Sequence, residues 1–199
     1  IMADIEEYSH IKFNKTFDKW KFIIPASGKM KDNLKVMLEC FVQLSDEELS
    51  NIEVHFCGIK KESILEFISY SSFERLKHTF VIHKWMDYQD LVRLYMQMHF
   101  LLLIRSTSQM TLANFPSKVP EVMCYGVVPI ASKVGDYTDY YLENNINSIF
   151  VNGDTLDEAL FSVRKALKLS QNEYMAMSKK ARQCVESRFD YHVWAKPLQ

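Results

Sequence analysis

Apolar and polar positions follow two rhythms along this chain, and the rhythms take turns. Short runs rich in β-branched and aromatic residues fall at 20–25 (WKFIIP), 52–57 (IEVHFC), 79–83, 99–104, 127–131 and 148–151, and read as strands. The run 99–104 is apolar apart from His99, the pattern of a strand buried on both faces. Between the runs, apolar residues recur every three or four positions. At 33–44 they are Leu34, Met37, Leu38, Phe41 and Leu44, one face of a helix. The same rhythm predicts helices at 62–76, 87–98, 117–125, 137–143, 156–169 and 172–188. Asp87 opens one of them with a charge that suits the helix dipole. Thr155 with Glu158, and Ser170 with Glu173, have the spacing of capping boxes for the last two. Strands alternating with helices mean βαβ units, so about six strands should form a mostly parallel sheet with helices on both faces, an α/β domain. Residues 1–19 fit the rhythm poorly and read as an arm or linker remnant. Residues 20–188 hold the domain, and 189–199 read as an irregular tail.

The chain has 199 residues, enough for a full hydrophobic core. Its 48% apolar and 25% charged residues exclude disorder and coiled coil. With 24 basic against 25 acidic residues the net charge is −1, so the chain has no electrostatic footprint for nucleic acid. The longest apolar run, 98–104, is far short of the roughly 20 residues that span a bilayer. No secretory leader pattern is visible, and a cytoplasmic location is expected. The chain opens on Ile1 rather than Met, which leads us to expect a further segment upstream. Cys40, Cys57, Cys124 and Cys184 have no zinc spacing and lie in apolar stretches, as buried reduced thiols do. The histidines make no metal spacing either, so no metal site is expected. There is no GxGxxG after the first strand, no GxxxxGK[ST], no HExxH and no GxSxG.

Chemistry gathers in three places. Gly28, Gly58, Gly135 and Gly153 each follow a predicted strand, where the ligand crevice of a parallel sheet opens. The stretch 114–129, NFPSKVPEVMCYGVVP, is the richest. Its loop, Asn114, Phe115, Pro116 and Ser117, leads into a helix that Ser117 can cap, and open N–H groups at a helix start invite an anion. Lys118 is badly placed for the helix dipole unless a phosphate sits there. Glu121, one turn on, could accept hydrogen bonds from sugar hydroxyls. The plainer readings are a solvated lysine and a surface glutamate. In the second place, SGKMKDN, Gly28 allows a tight turn, and Lys29 and Lys31 suit a diphosphate, or are simply a charged, solvated loop. The third is HKWM at 83–86, where Trp85 is either a stacking surface for a base or a half-buried loop aromatic.

In order and spacing these pieces resemble the C-terminal, donor-binding domain of a GT-B-type glycosyltransferase, in the broad group of retaining enzymes often called family four. The resemblance runs from about Phe22 to about Trp194. FIIPASGKMKDNLKVMLECF is similar to the family's opening strand, Gly-Arg turn, Lys-Gly pair and helix; SKVPEVMCYGVVPIAS to its Glu-helix-Gly-Pro-Val signature; VGDYTDYYLENNINSIFVNG to its later glycine-rich stretch. It implies a Rossmann-like sheet, one half of the two-domain fold, that binds a nucleotide-sugar. By resemblance, Glu121 binds the ribose, and Asn114, Phe115, Pro116, Ser117 and the helix start with Lys118 cradle diphosphate and sugar. Lys29 and Lys31, on the turn that Gly28 allows, neutralise the leaving diphosphate, and His83 and Lys84 lie against the base. No residue is assigned to catalysis, and no cofactor beyond the donor substrate is implied. The family often has a second glutamate eight residues before the ribose-binding one, and here that position is Ala113. Lys29 stands for the arginine and loses its bidentate geometry. The implied activity is glycosyl transfer to a hydroxyl of a saccharide or lipid-linked acceptor, in bacterial surface polysaccharide or glycoconjugate synthesis. The acceptor would be held by a missing N-terminal domain, and the full enzyme would sit in the cytoplasm or at the inner face of the membrane. A nucleotide-sugar epimerase of similar fold and a non-catalytic α/β interaction module are the alternatives.

Overall fold

The computed structural model describes residues 15–25 and 32–195, the Trp194 side chain excepted. The described residues form one six-stranded sheet: β1 (Trp20–Ile24), β2 (Ile52–Cys57), β3 (Phe80–His83), β4 (Phe100–Leu103), β5 (Val128–Ser132) and β6 (Ile149–Val151). The order is β3-β2-β1-β4-β5-β6 and every pairing is parallel. Parallel neighbours need crossovers, and helices supply them: α1 (Leu34–Val42), α2 (Asp46–Ser50), α3 (Lys61–Leu65), α4 (Tyr70–Leu76), α5 (Tyr88–Tyr95), α6 (Gln109–Ala113), α7 (Lys118–Met123), α8 (Asp136–Tyr140), α9 (Leu156–Leu167), α10 (Gln171–Arg188) and α11 (Tyr191–Ala195).

Alternate side chains of each strand go to two separate cores, as the period of two demands. Phe22, Val54, Phe56, Phe100, Leu102 and Ile130 meet α1, α4 and α9 on one face. Ile23, Leu101, Leu103 and Ala131 meet α5, α7 and α8 on the other. The long helix α10 serves both, with Tyr174 and Met177 in the first core and Ala181 and Val185 in the second. Gly126 fixes where α10 crosses the sheet. Its φ is 66°, and a Cβ there would lie 2.4 Å from Ser178 Oγ. Ser178 Oγ and Tyr174 OH both donate to Gly126 O, at 2.6 and 3.0 Å.

The expected α/β sheet is therefore present, and the differences are local. The helix expected at 62–76 is two, because the Ser69 side chain accepts from Ser72 N–H and starts a second helix. Helices α2 and α6 were not expected. Each is one turn long, too short to show a period, and is started by a serine box: Ser45 with Glu48, Ser108 with Thr111. Of the two expected boxes, Ser170 with Glu173 is complete, and Thr155 makes its half by accepting from Glu158 N–H. The tail expected to be irregular carries α11. Phe189, just before it, packs on Phe115 and Tyr141.

Candidate functional site

The strand order reverses between β1 and β4, and the loops at the carboxyl ends of the strands diverge there. Beside this point lies a cavity of about 830 Å³. Its walls come from the loop after β2, the loop after β3, helix α5 and the first turn of α7. Gly58, at φ 81°, turns the chain sharply out of β2, and Lys60 and Lys61 follow at the wall. His83, Lys84 and Trp85 form the β3 side. Lys118 and Glu121 form the α7 side. Lys60, Lys84 and Lys118 line the cavity with one carboxylate, and Lys61 lines it too with its Nζ over the Phe73 ring at 4.6 Å, a setting for an anionic ligand with hydroxyls.

Glu121 is held rather than loose. Tyr95, on α5, hydrogen-bonds its side chain. Burial pushes the Glu121 carboxyl up from the ordinary carboxylate value, and the Tyr95 hydrogen bond and the Lys118 charge pull it back in part. Burial raises the Tyr95 hydroxyl as well, so the phenol keeps its proton and donates to Glu121. Cys57, on the same wall, is pushed up to about 11 by burial and stays a thiol. Trp85 is 90% exposed at the rim, neither stacked in the core nor half-buried. On the β3 side His55 Nδ1 and His83 Nε2 are 2.9 Å apart, and the two rings are nearly parallel, at 17°.

The loop before α7 is placed differently from the expectation. Asn114, Phe115, Pro116 and Ser117 are absent from the described lining of this cavity. Asn114 is bound by Arg105, which follows β4 and is 3% exposed. Arg105 Nε donates to Asp32 Oδ1 at 2.9 Å, Nη1 donates to Asn114 Oδ1 at 3.2 Å, and its backbone N–H donates to Ser132 Oγ at 3.0 Å. Phe115 packs on Tyr137, Tyr141 and Phe189. Pro116 is buried. Ser117 is itself helical, at φ −53° and ψ −29°, and its side chain makes no capping bond. Val119 N–H donates to Pro116 O and Glu121 N–H to Ser117 O, while Pro120 has no N–H to offer. The side-chain cap expected of Ser117 is therefore not made, and the Val119 and Glu121 N–H groups are already bonded within the chain. Ala113 closes α6 and is exposed. Gly28, Lys29 and Lys31 lie outside the described residues.

The structure brings His83, Lys84, Lys118 and Glu121 to the walls of one cavity. It adds Tyr95, Lys60, Lys61 and the His55–His83 pair, which no motif marks. The lysines after Gly58 had a visible signal, two charges one residue beyond a strand-ending glycine. Tyr95 had none, since only the fold sets α5 against α7. The Arg105–Asp32 pair joins positions 73 apart in sequence.

Comparison with known proteins places the chain. A family model, glycosyl transferases group 1, matches residues 7–184. The chain belongs to this family. The chain is similar in structure to sucrose-phosphate synthase from Thermosynechococcus elongatus, with TM-score 0.75 and 12% identity, covering 99% of this chain and 49% of that one. It is similar to Anabaena HepE in complex with UDP and glucose, with TM-score 0.74 and 12% identity, covering 99% of this chain and 54% of that one. A third similar structure is the C-terminal domain of a glycosyl transferase group 1 family protein from Francisella tularensis, with TM-score 0.71 and 10% identity, covering 94% of this chain and 98% of that domain. The chain spans about half the length of the first solved structures it matches, 48% and 49%. No curated protein matches it significantly. The family and the Rossmann-like half of a GT-B fold agree with the resemblance read from the sequence.

Proposed function

We propose that this group 1 glycosyltransferase domain binds a nucleoside diphosphate sugar in the cavity beside β2, β3 and α7, and serves as the donor half of an enzyme that passes the glycosyl group to a hydroxyl acceptor. The observation that carries this is one carboxylate, Glu121, with Lys118 beside it and Lys60 and Lys84 on the facing walls, in a cavity of about 830 Å³ at the carboxyl ends of a parallel sheet. Glu121 accepts from the sugar-ring hydroxyls, and Tyr95 keeps it oriented. Lys118 faces the charge of the diphosphate, joined by Lys29 and Lys31. As the bond to the sugar breaks, negative charge builds on the departing diphosphate, and fixed cations there lower the barrier. The planar base lies on the β3 side by His83, Lys84 and Trp85. In this reading the lysines do the work of charge stabilisation and no cofactor is needed. The acceptor, a saccharide or lipid-linked hydroxyl, is held by a second domain, and a role in bacterial polysaccharide synthesis at the cytoplasmic side of the membrane is part of the proposal. Among the described residues, no helix is long and apolar enough to cross a membrane.

The test is calorimetric titration with UDP, GDP, ADP and CDP, with and without EDTA, beside Glu121→Ala. One nucleotide should bind saturably, equally well with the chelator. The variant should lose about tenfold to a hundredfold in affinity, the worth of hydrogen bonds to a charged acceptor. Because the carboxylate is the accepting form, affinity should fall as pH drops through the raised Glu121 pKa, sooner than for an ordinary glutamate. A well-folded chain that binds none of the four overturns the proposal.

A further inference from the structure

The β3 side of the cavity ends a chain of polar groups. Glu53, His55 and Cys57 project to the same face of β2, and the register sets His83 beside Cys57, diagonally from His55. The His55 and His83 rings lie edge to edge and nearly parallel, at 17° with centroids 5.2 Å apart, and His55 Nδ1 lies 2.9 Å from His83 Nε2. At its far side, His55 Nε2 is 3.5 Å from Glu53 Oε2. The Glu53 carboxylate is in turn 3.8 Å from Lys19 Nζ.

Proton positions follow from this geometry. Glu53 Oε2 lies 3.5 Å from His55 Nε2, outside hydrogen-bond geometry, and a carboxylate can only accept, so its charge favours the tautomer with the hydrogen on Nε2. His55 is 8% exposed, and burial favours the neutral ring, which leaves a lone pair on Nδ1. The hydrogen between the two rings then belongs to His83 Nε2. A neutral His83 has its own lone pair on Nδ1, on a residue that lines the cavity. Burial holds both imidazoles below the ordinary histidine value, His55 at about 4, which agrees with two neutral rings. The two walls of the cavity differ in chemistry. Ile82, Trp85 and Met86 accompany His83 on the β3 side, with Lys84 as its one charge, whereas Lys118 and Glu121 stand on α7. A flat ring belongs against the first and phosphate charge against the second.

We infer that His83 presents an acceptor, Nδ1, to an N–H or amino group of the bound base, and that Glu53 and His55 are positioning residues that set its tautomer. This inference rests on the nucleotide reading above. The site then selects for a base edge that donates, and works against one that offers only carbonyl oxygen, since two acceptors repel.

The experiment labels the histidines with ¹⁵N and reads which ring nitrogen carries hydrogen from long-range ¹H–¹⁵N correlations. In the free chain both His55 and His83 should show the Nε2–H form. Saturation with the tightest binder of UDP, GDP, ADP and CDP should shift His83 Nδ1. His83→Phe should weaken that nucleotide about tenfold. His83→Asn, which keeps an acceptor close to the Nδ1 position, should recover most of the loss. Glu53→Gln, at a partly exposed site, should move His83 toward a mixture of tautomers and weaken binding several-fold with no change in melting temperature. His83 with its hydrogen on Nδ1 in the free chain overturns the inference. So does an Nδ1 signal that stays still while the same nucleotide shifts the backbone signals of Lys118 and Glu121. Absence of binding by all four nucleotides overturns the donor-site reading instead, and the free-chain tautomer still decides whether Glu53 and His55 act as described.

Discussion

Two histidines stand at opposite ends of this sheet and are used in opposite ways. His99, just before β4, is fully buried. Its Nδ1 accepts from Lys21 N–H at 3.0 Å, and its ring lies about 5 Å from Phe17, Trp20 and Tyr174. His83, at the far end of β3, gives one nitrogen to His55 and lines a cavity. The amino end of the sheet spends its polar groups on packing. The carboxyl end leaves them facing a crevice, where a parallel sheet binds its ligands. Substitutions at the first end should therefore move stability alone, and substitutions at the second should move binding alone.

Arg105 breaks that division and carries the largest expected effect. It lies at the carboxyl end but is sealed, its guanidinium shared between Asp32 and Asn114. Arg105→Met strands the Asp32 carboxylate inside the protein and should cost about 3–5 kcal/mol in urea denaturation. It also releases the Asn114 loop that leads into α7, the helix carrying Lys118 and Glu121, so nucleotide affinity should fall too. Adding Asp32→Leu should recover much of the stability, because two apolar side chains leave no buried charge, but none of the affinity. Recovery of both would mean that the pair only fills space.

His99→Ala comes next. It opens a hole among four aromatic rings and removes a buried acceptor, for about 3 kcal/mol of stability. Nucleotide affinity should not change. A matching loss of affinity would show that the two ends are coupled through β4.

Acid should act on the same residue. Burial holds His99 at about 3 and His55 at about 4, against 6.5 for a free ring. Between those values the unfolded chain takes up protons that the folded chain refuses, so stability is full above pH 6.5 and falls as the pH drops below it. From pH 7 to 5.5 the loss should be on the order of 1–2 kcal/mol. Comparing His99→Phe with the parent over this range isolates one histidine, and a parallel pair of curves would mean that His99 contributes nothing to the slope.

The alternation of periods made the sheet and its two helical layers readable, because each strand and helix buries one face against a core. What stayed hidden was either too short or too distant. Helices α2 and α6 are single turns set by serine caps. At the site, Lys118 and Glu121 were legible because one turn of helix joins them, and His83 and Lys84 because they end a strand. The side-chain cap expected of Ser117 is not made, since a serine before a lysine looks the same in sequence whether its own backbone is extended or helical. Tyr95 on Glu121, His55 on His83 and Asp32 on Arg105 are contacts across the fold, and local spacing carries no trace of them.

The smallest effect on the fold, and the sharpest test of the carboxyl end, belongs to Trp85. At 90% exposure it contributes almost no burial, so Trp85→Ala should leave stability within about 0.5 kcal/mol of the parent. An indole kept in water at the rim of a cationic cavity has a use only if something covers it. Stacking on a base is worth about 1–3 kcal/mol, so the same variant should weaken nucleotide binding several-fold or more. Trp85→Phe, which keeps a flat face, should retain most of the affinity, and Trp85→Leu should not, although both are apolar. Equal loss in the phenylalanine and leucine variants would remove stacking as the reason, and the cavity would then hold its ligand from the α7 side alone.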